Sequence, residues 1–151
     1  MKLKSLSELE PLEFTRVAPL RQMELRRRRL DRLAHLLENH SGPIRLFNQV
    51  EAASKQRRRV MRRECSPFTV AYEDPLFRTE GLESDTFGEG MRFFCLTASE
   101  AHELVCDCHY FGPVSGATIG ERARFMGSHP SMMMRCRDFM ASINPWGTMG
   151  R

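Results

Sequence analysis

Between residues 19 and 39 the apolar positions Met23, Leu30, Leu33, Ala34 and Leu37 recur at spacings of seven, three, one and three. That stripe predicts a helix with Pro19 in its first turn, stopped by Gly42 and Pro43 in the run His40-Ser41-Gly42-Pro43. A second stripe, Ile44, Phe47, Val50, Ala53, Val60 and Met61, predicts another helix over 44–64. The short connection between them predicts an antiparallel hairpin. Residues 1–18 contain Pro11 and show no sustained period, so they read as an extended or partly ordered arm.

After Ser66-Pro67 the pattern shortens. Pro75, Gly81, Gly88 and Gly90 interrupt it, predicting short helices over 67–73 and 75–81, with Val70, Ala71, Leu76, Phe77, Leu82, Phe87, Phe93 and Phe94 in the core. Thr97 followed three residues later by Glu100 is a capping-box signature that opens a helix over 98–110. Ser115 caps a further helix running to Gly127, and Met132, Cys136, Phe139, Met140 and Ile143 place a last one over 131–143. The expected fold is all-α. After the arm comes a single domain over 19–151: a basic N-terminal helical hairpin at 19–64, a compact bundle of short helices at 65–143, and a tail at 144–151 carrying Trp146.

Composition narrows the class. A chain of 151 residues with 41% hydrophobic content and a mean hydropathy of −0.44 fits one globular core, and no run approaches the roughly 18 apolar residues that span a bilayer. The N-terminal stretch turns acidic where an export signal needs apolar residues, and an odd count of five cysteines argues for reduced thiols. Both features point to a cytoplasmic location without disulfides.

Charge is more informative than its net value of +4. Residues 1–64 hold 16 Lys/Arg against 8 Asp/Glu, and residues 65–151 hold 7 against 11, so the two parts carry +8 and −4. Arg26, Arg27, Arg28 and Arg29 spread around the first predicted helix, and Arg57, Arg58, Arg59, Arg62 and Arg63 load the end of the second. Such a surface suits an anionic partner, the acidic part of the same fold, or a second copy of the chain in a homodimer.

The densest chemistry lies in Phe93–Tyr110. On a continuous helix His102, Cys106 and His109 share one stripe, and Cys95 upstream supplies a fourth zinc-type ligand if the loop folds back. The competing arrangement buries Ala101, Leu104, Val105 and Cys108 and leaves the histidines at the flank. A helix-turn-helix is a second arrangement, with 98–110 as its first helix, Ser115–Thr118 facing base edges, and Arg122 and Arg124 reaching phosphates. Acidic Glu100, Glu103 and Asp107 weigh against it near nucleic acid.

Cys106 and Cys108 sit near a helix C-terminus, which disfavours thiolate, and the chain lacks Walker, Rossmann, HExxH and GxSxG patterns, so an enzyme is disfavoured. The Met-rich C-terminal quarter is expected to be mainly core. The functional expectation is a cytosolic, non-enzymatic regulatory or adaptor protein that holds an acidic protein partner through the basic hairpin. The alternatives are nucleic-acid binding through the same arginines and, more distantly, a zinc-binding module.

Overall fold

A computed structural model describes the backbone of residues 6–107 and 114–129, with side chains from Arg21 onward within those ranges. Its longest element, α1, spans Leu6–Glu38. The backbone expected to be an extended arm is therefore helical from Leu6. Pro11 falls in the second turn and Pro19 in the interior, where each removes a backbone donor; good helix formers such as Leu, Glu, Arg and Met occupy most neighbouring positions and carry the helix through. The expected stop is observed, with Asn39 N–H donating to the His35 carbonyl and extended backbone following.

The second long helix does not form, so the basic hairpin is corrected. Residues 44–48 form no helix, and Asn48, itself extended, then caps a short α2, Gln49–Ala53, by accepting from the Val50 amide at 2.9 Å. Ser54 is extended (φ −80°, ψ 121°) and separates α2 from the single turn of α3, Lys55–Arg58. The Asn48 side chain favours such local capping over a continuous helix, whereas Ser54 makes no side-chain cap bond to α3. The expected stripe is divided as a result: Ile44, Phe47 and Met61 are buried, whereas Val50 and Val60 are 75% and 73% exposed.

The expected helix starts at Pro67, Pro75, Ala98 and Gly116 are observed, but the helix expected over 98–110 ends at Val105 and an unexpected helix forms at Phe87–Phe93. Helix α4, Pro67–Glu73, opens with a capping box between Ser66 and Thr69, and α5, Pro75–Thr79, is capped by Asp74. Next come α6, Phe87–Phe93, and α7, Ala98–Val105, with the capping box of Thr97 and Glu100 in place. Helix α8, Gly116–Ser128, is capped by Ser115, which accepts from the Thr118 amide. The fold of the described residues is all-α, without strands. The expected helix 131–143, the tail and Cys108 lie outside them.

Apolar contacts explain how these pieces meet. Phe47, Phe68, Phe77, Phe87, Phe93 and Phe94 are buried and touch ring to ring, mostly edge to face, with centroids 5.1–6.2 Å apart. Leu30, Leu33, Ala34 and Leu37 of α1 are fully buried, but Leu76, expected in the core, is 43% exposed. The true antiparallel partner of α1 is α8, its most extensive contact. Glycines make that approach close: a Cβ built on Gly116 would lie 2.0 Å from the Leu37 carbonyl oxygen, and one on Gly120 would lie 2.8 Å from that of Ala34.

Candidate anion-binding surface

Four of the α1 arginines, Arg26, Arg28, Arg29 and Arg32, pair with carboxylates of later elements, and of these only Arg26 is fully buried. Arg26 is 1% exposed and donates from Nη2 to Glu100 Oε1 at 3.0 Å and to the Met126 carbonyl at 3.1 Å. It thereby ties α1 to α7 and α8 at one point. Arg29 bonds Glu80 and the Phe93 carbonyl and lies over the Phe93 ring at 3.8 Å, while the more exposed Arg28 also reaches Glu80. Arg32 makes two bonds to Asp74, at 2.6 and 2.9 Å, and this guanidinium holds the Asp74 carboxyl below the usual carboxylate range.

Arg124 of α8 joins the same lattice from the other side. It bonds Glu38 at 2.6 and 3.0 Å and Asp31 at 3.2 Å, which lowers the Glu38 carboxyl from its ordinary value. Arg122 donates to the Glu103 carbonyl. Arg27 is exposed and opens on a groove shared with Glu24 and Asp31. The excess positive charge of this helix is therefore largely answered within the fold, the docking of basic on acidic parts that the charge asymmetry allows.

The segment Lys55–Arg63 behaves differently. It carries Lys55, Arg57, Arg58, Arg59, Arg62 and Arg63 and no acidic residue. Arg57 reaches Glu51 only at 3.8 Å and Arg62 reaches Asp85 at 3.4 Å, both from exposed positions. Exposed pairs of this kind contribute little. Lys55, Arg58, Arg59 and Arg63 have no carboxylate within 4.0 Å among the described residues. Exposed Val50 precedes the run and exposed Val60 lies within it.

Beside it opens a cleft of about 890 Å³, with Lys55, Arg58 and Arg59 on one wall and Gly88, Met91, Leu96, Thr97 and Ala98 on the other. Arg92 also lines it, but bonds Glu89 and the Gly81 carbonyl, and the pairing holds the Glu89 carboxyl down. Gly88 fixes the basic wall: a Cβ there would stand 2.9 Å from both the Arg58 carbonyl oxygen and the Arg59 Cα. Neither this cleft nor the bend at Ser54 was legible in the sequence; the absence of any acid between Lys55 and Arg63 was the available signal.

The continuous helix on which His102 and Cys106 were expected to share a zinc-type stripe ends before Cys106. Helix α7 ends at Val105, and Cys106 is extended (φ −101°, ψ 157°), because its strand-like neighbours pair with Phe47: Phe47 N–H donates to the Val105 carbonyl at 2.9 Å and Asp107 N–H to the Phe47 carbonyl at 3.1 Å. Cys106 is consequently buried off the helical stripe of His102, which packs against the Phe87 ring edge. Cys95 is half-buried and accepts from Gln22 Nε2 at 3.6 Å; His109 lies outside the described residues. Among the described residues no three His, Cys, Asp or Glu side chains are arranged to hold a metal.

A different thiol contact emerges instead, since Cys65 Sγ lies 3.3 Å from His40 Nε2. Burial, with Glu73 and Glu64 nearby, pushes this thiol up, so it is a poor nucleophile. Of the expected recognition face of α8, Ser115, Ala117 and Thr118 are exposed and Gly116 packs close to the Leu37 carbonyl, while Ile119 and Ala123 are buried. The chain matches no protein-family model, no curated protein and no solved structure. No helix among the described residues is long and apolar enough to cross a membrane.

Proposed function

We propose that the protein is a non-enzymatic binding module that holds an acidic protein segment on the surface formed by Lys55–Arg63. The observation that carries this reading is the coexistence of cations without internal counter-charges and two exposed valines. Phosphate backbones need only positive charge, whereas an acidic peptide with apolar residues uses both features. Of the α1 arginines first expected to share this role, Arg26, Arg28 and Arg29 pair with carboxylates within the fold, and Arg27 stays exposed.

Fluorescence anisotropy with a labelled Glu/Leu-alternating peptide and with labelled duplex DNA tests the reading. Binding of the peptide is expected to persist at physiological ionic strength, to weaken several-fold in Arg62→Ala, and to weaken again when Val60→Ser is added. DNA binding is expected to fall steeply with salt and to ignore Val60→Ser. Tighter binding of DNA at physiological salt, with the peptide unbound, overturns the proposal in favour of the nucleic-acid alternative.

A further inference from the structure

We infer that the cleft between α3 and the opposing wall at Gly88 and Ala98 is a binding site for a phosphomonoester. Three cations, Lys55, Arg58 and Arg59, line one wall, and none has a carboxylate within 4.0 Å among the described residues. Arg58 is half-buried in this condition. A guanidinium partly withdrawn from water without a counter-ion is poorly solvated, and a dianion with three acceptor oxygens supplies what its fork-shaped donor set lacks.

The wall is set by backbone packing. Because Gly88 has no side chain, the first turn of α6 sits directly against the Arg58 carbonyl and the Arg59 Cα. Arg92, the fourth cation lining the cleft, is bonded to Glu89, and the guanidinium offsets that carboxylate's charge. Met91 and Leu96 give the cleft an apolar side, and its volume of about 890 Å³ leaves room for the group that bears the phosphate. A free phosphorylated metabolite and a phosphorylated side chain share this chemistry. The cleft shares Lys55, Arg58 and Arg59 with the proposed acidic-peptide surface, whereas Val50, Val60 and Arg62 do not line it, so substitutions at Val60 and Arg62 separate the two.

The test is amide chemical-shift titration of the ¹⁵N-labelled full chain with inorganic phosphate, O-phosphoserine and adenosine monophosphate, against chloride at matched ionic strength. Saturable shifts confined to Lys55–Arg59, Gly88 and Ala98 are expected, with affinity reduced about tenfold or more in Lys55→Ala/Arg58→Ala, the loss of two charge-assisted contacts. Exposed Lys55→Glu/Arg59→Glu, which leaves half-buried Arg58 untouched, should abolish the same shifts. Arg62→Ala and Val60→Ser should leave them unchanged while weakening peptide binding. Preference for the mononucleotide assigns a free metabolite and preference for phosphoserine a phosphorylated side chain; either outcome supports the site. Shifts scattered over all arginines, a response equal to that of chloride, or cleft variants that bind normally would overturn it.

Discussion

Arg26 and Glu100 are separated by 74 positions and meet at 3.0 Å with side chains 1% and 6% exposed. Glu100 simultaneously accepts from the Thr97 amide at 2.9 Å to close the capping box of α7. One carboxylate thus finishes a helix end and answers the buried charge of another helix. Removing either partner strands the other in a water-poor interior, at a cost of about 3–5 kcal/mol. Urea denaturation should show that loss for Arg26→Met and for Glu100→Gln. The double variant should lose less than the sum of the singles, and simple additivity would show that the pair is not coupled.

The glycines of α8 make a graded prediction. Gly116→Ala must displace the Leu37 carbonyl, and Gly120→Ala must displace that of Ala34, so both should cost about 1–3 kcal/mol, the former more. Gly127→Ala meets Leu30 Cβ at 3.4 Å and the Arg27 Cα and carbonyl oxygen at 3.5 Å, ordinary contacts, and should be neutral or stabilising by up to about 1 kcal/mol, since Ala is the better helix former. Thermal unfolding of the three variants checks the order.

Cys95 occupies a left-handed backbone conformation (φ 52°) just past α6, where Leu96 N–H returns to the Met91 carbonyl and Cys95 N–H to that of Arg92. Gly81 (φ 102°) fills the same position after α5. Glycine is the usual residue there because a Cβ is strained. Cys95→Gly should therefore stabilise by about 1 kcal/mol, raising Tm by about 2–4 °C, whereas Gly81→Ala should lower it. A fall in Tm for Cys95→Gly would mean that the weak Gln22 contact outweighs the backbone strain.

Acid should loosen the junction of α1 with α4 and α5. Bonding to Arg32 depresses Asp74 below 3.8 in the folded chain, so its contribution is present above that ordinary value and is lost as pH falls through the lower folded value. Asp74→Asn keeps a side-chain oxygen to cap α5 but removes the charge, and should flatten the loss of stability below about pH 4. Chemical denaturation at a series of pH values reads the slope; an unchanged slope would assign the acid sensitivity to Glu38 and Glu89.

Much of this architecture was written locally. Thr97 with Glu100, Ser66 with Pro67, and Ser115 each announce a helix start through hydrogen bonds that reach only three residues along the chain. The stripe Leu30, Leu33, Ala34 and Leu37 was equally plain. Its spacing of seven back to Met23 skips the turn occupied by Arg26, and that gap was the trace of a buried cation. A charge on an apolar stripe has no visible partner until α7 and α8 are brought beside it. The division of 44–64 was hidden for a similar reason: its apolar positions fit a helix, but the Asn48 cap, the extended Ser54 and the pairing of Phe47 with the end of α7 depend partly on residues sixty positions away.

The antiparallel seam between α1 and α8 also has a consequence in time. Roughly eighty residues separate Glu38 from Gly116, so at about 5–20 residues per second the ribosome needs on the order of 4–16 s to deliver the helix that covers the α1 stripe. During that interval Leu30, Leu33 and Leu37 have no partner from α8, and Arg26 lacks the Met126 carbonyl throughout and Glu100 for most of it. The growing chain is accordingly most vulnerable to aggregation before α8 emerges, and slowing synthesis between residues 39 and 115 should lower the soluble yield.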